Sequence, residues 1–260
     1  MTSVIIFGAA GRMGNTLCTL ATNMEKYSLA GIVDTAFATQ KSTWACPAAA
    51  SLPELIPQVA EKRPVIIDFS APAASVENAR IAAAHNIPLV IGTTGLSEEH
   101  KTSLDQYAAA TPLFWSPNMS LGVNVLLRVL PQLVRLLGED YDLEIMEIHH
   151  NRKKDSPSGT ALRLAECLAE ARDWNLTDTA CYHREGIIGE RPKKEIGLQT
   201  LRGGDVVGVH TVYCLGPGER IEINHQAHSR ENFAQGALRA AAWLREQKPG
   251  VLYSMADMLV

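Results

Sequence analysis

The residues best suited to chemistry lie in one stretch, Glu147-Ile-His-His-Asn-Arg-Lys-Lys-Asp-Ser-Pro-Ser-Gly-Thr160-Ala161. Two histidines, an arginine and two lysines precede a Ser-Gly-Thr turn. The chain as a whole carries a formal net charge of −4, so this is a local concentration of donors and positive charge. A small, multiply anionic substrate would need such a concentration. Glu147 and His149 stand two apart on an expected strand and so share a face, while His150 points the other way unless the strand ends there. Adjacent histidines are therefore poor joint ligands for one metal, a Glu147/His149 pair lacks a third ligand, and no metal is expected. Lys153 falls in a loop. Ser158 or Thr160 should cap the following alanine-rich helix, whose first amides, around Gly159, would favour an anion. The plain alternative is a capped helix after a solvated basic loop, and Arg152 and Lys154 are read that way.

A second constellation lies near the other end of the chain. Gly8, Gly11 and Gly14 are spaced three apart, with Arg12 and Met13 between the last two. Such glycines let a backbone turn tightly and approach a pyrophosphate seated on the next helix start. A tight turn alone could also explain them. Context favours the nucleotide: the motif follows an apolar run, opens a helix, and Asp34 stands 20 residues after Gly14 at the end of the next strand. A ribose-binding acid belongs there in a dinucleotide-binding domain. A carboxylate at 34, followed by Thr35 rather than an arginine, accepts ribose hydroxyls and repels a 2′-phosphate. The expected cofactor is therefore NADH in preference to NADPH. Two further loops, Asp68-Phe69-Ser70 and Gly92-Thr93-Thr94-Gly95, end predicted parallel strands, on the edge where open α/β sheets bind ligands. The second could hold a carboxamide, or be ordinary turn chemistry.

Positioning these groups requires two kinds of architecture. Val4–Phe7, Leu29–Val33, Val65–Asp68, Pro88–Ile91 and Leu113–Trp115 read as buried strands. They alternate with helices near 13–27, after Ser51, at 76–85 and at 98–110, the pattern of a Rossmann-type doubly wound parallel sheet. From 122 the pattern changes to a helix to 137, a strand from Tyr141 to His149, and a helix from Thr160 to Arg172. Strands then run from Ile196 to His228 around turns at 203–205 and 216–219, giving an α+β domain with a mixed, largely antiparallel sheet. A last amphipathic helix spans 232–247. The expected domains are 1–119 with 230–260 for the dinucleotide and 120–229 for substrate binding and oligomerisation, hinged near Met119 and Ser229. Trp44 and Cys46, between Asp34 and Pro53, have no evident role.

Apolar residues make up 46% and charged residues 20%, enough for a real core. The acidic balance and an isolated basic patch without interleaved aromatics argue against nucleic acid. Apolar runs are too short to span a bilayer, no basic leader is evident, and no membrane partner is expected. The five cysteines are scattered without a CxxC pair, which fits a reducing cytoplasm.

Together the motifs resemble the 4-hydroxy-tetrahydrodipicolinate reductase (dihydrodipicolinate reductase) family of bacterial and plant lysine biosynthesis. The resemblance spans essentially the whole chain: Gly8–Gly14, Asp68–Ser70, Gly92–Gly95, Pro117–Asn124, Glu147–Ala161, Arg184–Gly186 with Gly189–Arg191, Leu201–Thr211, Gly218–Arg220, His228–Arg230 and Trp243-Leu244. It implies reduction of a cyclic imine dicarboxylate by NAD(P)H with loss of water. It implies His149 as proton donor, with Lys153, His150, Ser158, Gly159 and Thr160 around the carboxylates. It further implies Gly92, Thr93 and Thr94 at the nicotinamide, Asn118 beside them, and a homotetramer built through the C-terminal sheet. The compartment would be the cytoplasm, or a plastid stroma for a plant protein that has lost a transit peptide. In many members an arginine follows the ribose-binding acid; here Thr35 stands there. An aspartate or homoserine dehydrogenase-like protein would share the domain plan but lack the His149–Lys153 segment. A catalytically silent NAD(P)-sensing protein would be expected to lack His149 or Lys153.

Overall fold

The computed structural model describes residues 1–259. It resolves into two compact units, one formed by Met1–Leu121 and the chain from Arg230 onward, the other by Gly122–Ser229.

In the first unit, β1 (Thr2–Phe7), α1 (Arg12–Asn23), β2 (Tyr27–Val33), β3 (Ala48–Ala49), α2 (Leu52–Val59) and β4 (Val65–Asp68) lead into α3 (Pro72–His85). There follow β5 (Leu89–Ile91), α4 (Glu98–Ala108), β6 (Leu113–Trp115) and the start of α5 (Leu121–Leu137). The strands are short and apolar because both sheet faces are covered: every residue of β4 and β5 is buried. With the late β12 (Leu252–Tyr253) they form a seven-stranded parallel sheet in the order β12-β6-β5-β4-β1-β2-β3. One apolar cluster joins Val4, Ile6, Ile32, Ile67, Val90 and Phe114 to α1 and to Ala234, Ala237, Leu238 and Ala241 of α8 (Glu231–Leu244). The other face packs Ile5, Ile66 and Ile91 against α2, α3 and α4. Trp44 and Cys46 pack on the first cluster, so the run after Asp34 is partly core.

Several boundaries differ from the sequence reading. α1 stops at Asn23 rather than near Tyr27, because β2 begins at Tyr27 and pairs with Thr2. α3 starts at Pro72, four residues before the predicted 76; proline is well suited to a first helical position. β12 and the short α9 (Met255–Met258) had no signal in the pattern.

The second unit holds most of α5, then β7 (Asp142–His149), α6 (Gly159–Ala171), α7 (Leu176–Thr179), β8 (Ala180–Cys181), β9 (Ile196–Arg202), β10 (Gly208–Gly216) and β11 (Glu219–Ala227). Its five strands run β11-β10-β7-β9-β8. The sheet is mixed: β10 is antiparallel to β7 and β11, whereas β7–β9 and β8–β9 are parallel. The parallel β7–β9 pair follows from the crossover through α6, since parallel neighbours need a long connection and a hairpin cannot supply one. Helices α5 and α6 cover one face, burying Leu130, Val134, Leu164, Ala165 and Leu168 against Leu143, Ile145, Leu198, Val212 and Cys214.

Candidate active site

On its helix-covered face β7 buries Leu143, Ile145, Glu147 and His149 in alternation. The register extends each of these across the sheet. Leu143 aligns with Cys214 and Ile196, and Ile145 with Val212 and Leu198. One pleat further, Glu147 aligns with His210 and Thr200, His210 with His225, and His149 with Arg202. The same face thus turns from apolar to polar between Ile145 and Glu147, and that border carries the candidate site.

Glu147 is the centre of the polar row. Its side chain is 1% exposed and takes five hydrogen bonds. His149 Nδ1 lies 2.6 Å from Oε2. The two Arg202 terminal nitrogens reach Oε2 and Oε1, each at 2.8 Å. The Ser158 amide donates to Oε1 at 2.9 Å and the Thr200 hydroxyl at 3.3 Å. Burial by itself would raise the carboxyl's pKa. The bonds from His149 and Arg202 and the Ser158 amide outweigh it and hold Glu147 well below the usual carboxylate range.

Ser158 caps α6, its hydroxyl accepting from the Ala161 amide at 3.2 Å and lying 3.0 Å from His210 Nε2. Thr160 therefore is not the cap; it stands with Gly159 in the first helical turn, where an anion is favoured. His150 leaves the strand, its amide donating to the Val206 carbonyl at 2.8 Å. Lys153 follows in the loop with its ammonium 2.9 Å from Asp155, which is 58% exposed. An ion pair that open to water is weak, so Lys153 can exchange it for a substrate carboxylate at little cost.

In the first unit the glycine loop fits a nucleotide cradle. A Cβ on Gly14 would lie 2.1 Å from the Gly8 carbonyl oxygen, so the start of α1 can lie against the loop only without a side chain there. Gly8 has φ +79°, and Gly11 is the helix N-cap. Arg12 is exposed at the first position of α1, while Met13 packs on the core. Both Asp34 oxygens accept backbone amides at 3.0 Å, from Ala10 in the glycine loop and from Ala36. The other two loops are fastened to each other. Phe69 lies over Gly92, where a Cβ would come within 2.2 Å of its ring. The Thr93 hydroxyl, buried, accepts from the Ser70 amide at 3.1 Å and from Ser75 at 2.8 Å. The Thr93 carbonyl accepts from Trp115 at 3.2 Å. Thr94 and Ser70 are exposed, and Asn118 folds its own turn by accepting the Ser120 amide at 2.9 Å. Asp68 is fully buried beneath these loops, bonded to Asn78 at 3.0 Å, and burial pushes its carboxyl upward.

Arg202, Thr200, His210 and Gly208 were not singled out in the sequence. Arg202 and His210 lie in a conspicuous stretch, Leu201–Thr211, but nothing local reveals that they face Glu147. Only the register does.

A glycine cradle and acid at the carboxyl edge of a parallel sheet, with a separate unit carrying a histidine–carboxylate pair and nearby cations, define a nicotinamide-dependent oxidoreductase class. The chain matches the family model described as Dihydrodipicolinate reductase, N-terminus, over residues 2–119, and that described as Dihydrodipicolinate reductase, C-terminus, over residues 122–259. It belongs to the dihydrodipicolinate reductase family. The 4-hydroxy-tetrahydrodipicolinate reductase of Nitratidesulfovibrio vulgaris (strain DP4) is 66% identical over 258 residues, 99% of each chain. That of Anaeromyxobacter dehalogenans (strain 2CP-C) is 47% identical over 100% of this chain and 98% of its own. Among solved structures, a dipicolinate-bound dihydrodipicolinate reductase from Paenisporosarcina sp. TG-14 shares the fold at TM-score 0.78, with 23% identity and 99% of each chain covered.

The polar row makes a pH prediction. His210 is 4% exposed. Burial, then the nearby His149 charge, lowers its pKa from 6.5 to about 4. The folded protein therefore binds fewer protons than the unfolded chain between those values. The stability at stake is full above pH 6.5 and is lost as the pH falls toward about 4. At about 1.4 kcal/mol per unit this amounts to up to about 3 kcal/mol. Urea unfolding at a series of pH values should show that slope in the native protein and a shallower one in His210→Gln. Equal slopes would mean that His210 titrates normally.

Proposed function

We propose that the protein reduces 4-hydroxy-tetrahydrodipicolinate, a cyclic imine dicarboxylate, to tetrahydrodipicolinate with loss of water. The observation that carries this is the buried Glu147–His149 pair at the border of the sheet, with Lys153 and the start of α6 in the same segment. Family membership supplies the substrate class. The first unit's loops would hold the nicotinamide cofactor, through Gly8, Gly11, Arg12, Met13, Gly14, Asp34, Phe69, Ser70, Gly92, Thr93, Thr94 and Asn118. The cofactor, when bound, supplies the hydride. Charge left on the substrate's conjugated system must then be quenched by a proton, which His149 donates. Lys153, His150, Gly159 and Thr160 bind the carboxylates, with buried Ser158 acting through the α6 cap that holds Gly159 and Thr160 in place, and the Lys153 ammonium also steadies the developing charge. By this reading residues 1–119 and 230–260 serve the cofactor and 120–229 the substrate.

His149→Gln should lower turnover by roughly a hundredfold or more with the Michaelis constant for NADH nearly intact. Lys153→Ala should damage both turnover and the substrate Michaelis constant, since its contact exists before and during reduction. Steady-state NADH oxidation, with substrate generated by the preceding synthase, reads both. Full turnover in His149→Gln would remove that residue from the mechanism.

NADH is the preferred cofactor in this reading. Asp34 is anchored by the Ala10 and Ala36 amides, so its charge sits in a fixed place where a 2′-phosphate would meet it. Asp34→Ala should weaken NADH binding by roughly 1–2 kcal/mol and narrow the gap to NADPH, as read by titration with each cofactor. Native activity at least tenfold better with NADPH would overturn the assignment.

The chain is proposed to act as a homotetramer in the cytoplasm. Opposite α5 and α6, the second sheet presents Met146, Ile148, Val209 and Tyr213, partly exposed, beside Leu201 at 44% exposure. These apolar side chains are interspersed with Glu144, Thr211 and Asn224, and a mixed face of this kind suits association with further copies. All five cysteines are free, in keeping with a reducing compartment. Light scattering at micromolar concentration should give the mass of four chains; a monomer would count against the assembly.

A further inference from the structure

We propose that Glu147 is a positioning residue that fixes His149 in the tautomer protonated at Nδ1, making Nε2 the atom that delivers the proton. The inference rests on the reductase reading above and specifies how its proton donor is set. Glu147 is buried, ion-paired through both oxygens to Arg202, and held in the charged form. An ionised carboxylate only accepts hydrogen bonds. At 2.6 Å from Oε2, Nδ1 must therefore carry a hydrogen whether the imidazole is charged or neutral. Proton exchange is thereby confined to Nε2.

The surroundings of Nε2 support this. A Cβ built on Gly208 would stand 3.0 Å from His149 Nε2 and 3.5 Å from Cδ2, so the absence of a side chain at 208 leaves this edge of the ring uncrowded. His210 packs edge-to-face on His149 at 5.1 Å and is kept neutral by burial near neutral pH, so it adds no positive charge beside a protonated His149. Arg202 neutralises Glu147 and so keeps the carboxylate from taking the Nδ1 hydrogen for itself. In the reductive step the Nε2–H bond breaks and the proton passes to the substrate atom left negative. The imidazole that remains is neutral, with Nδ1–H still bonded to Glu147. Reprotonation at Nε2 from solvent closes the cycle.

The test combines nitrogen-15 NMR of histidine-labelled full-length protein with kinetics. In the native protein, at a pH where His149 is neutral, its Nδ1 should give the protonated signal and its Nε2 the unprotonated one. This measurement needs no substrate, so it can fail while the reductase reading stands. In Glu147→Gln the amide can face Nδ1 with either its oxygen or its NH2. The tautomer should become mixed, and kcat should fall by about a hundredfold or more with the NADH Michaelis constant unchanged. Gly208→Ala should keep the native tautomer yet lower kcat by about tenfold or more, because only the approach to Nε2 is obstructed. A native His149 protonated at Nε2 overturns the proposal, as does native kcat in Glu147→Gln. Should Glu147→Gln not fold, the native tautomer and the Gly208→Ala kinetics decide the matter.

Discussion

A single buried carboxylate organises the second unit. Glu147 joins three separate pieces of chain: its own strand through His149, β9 through Thr200 and Arg202, and the α6 cap through the Ser158 amide, with His210 aligned beside it on β10. Burying a charge is expensive unless it is paired and fully hydrogen-bonded. Here the arginine fork and three further donors meet that cost, and the arrangement leaves little freedom. Losing Arg202 would leave the Glu147 charge uncompensated in the interior, a cost on the order of 3–5 kcal/mol. The start of α6, the end of β9 and the orientation of His149 are thereby tied to one another, and a site of defined geometry results at the border between apolar core and polar row.

The first unit solves a different problem. It holds the loops at the carboxyl edge of its parallel sheet in a fixed shape. It does so by fastening loop to loop: Asp34 holds the glycine loop through Ala10, Phe69 lies on Gly92, and Thr93 ties Ser70 to Ser75. The Thr93 hydroxyl is consequently occupied within the protein, the Ser70 hydroxyl is bonded to Asp68, and Thr94 is exposed. Preorganisation of this kind lowers the ordering cost of binding.

The two units also divide their use of burial. The first buries its strands on both faces and keeps its polar groups at strand ends. The second lets one sheet face change character along its length, from Leu143 and Ile145 to Glu147 and His149. That change places titratable groups in contact with a packed core. It is why His210 resists protonation and Glu147 keeps its charge, and why an imidazole can be held with one nitrogen committed and the other available.

Much of this was legible in the residues. Short β-branched runs between helical stretches announced a parallel sheet, because strands buried on both faces cannot alternate. The spacing of Gly8, Gly11 and Gly14 marked a tight loop between strand and helix, because backbone packed that closely leaves no room for a side chain at Gly14. The alternation Leu143, Ile145, Glu147, His149 put the last two on one face, because the pleat has period two. Each of these is a local property, written within a few residues. The direction of β9 against β7, the pairing of Arg202 and His210 with Glu147, and the room that Gly208 leaves at Nε2 were not legible. They join residues far apart in the chain, through a register set by the α6 crossover and by packing of the whole sheet against α5 and α6. Residue types and their spacing indicate which side chains can do chemistry and which local elements carry them. Which atom of which side chain faces which partner depends on strand order and register, and those are properties of the assembled sheet.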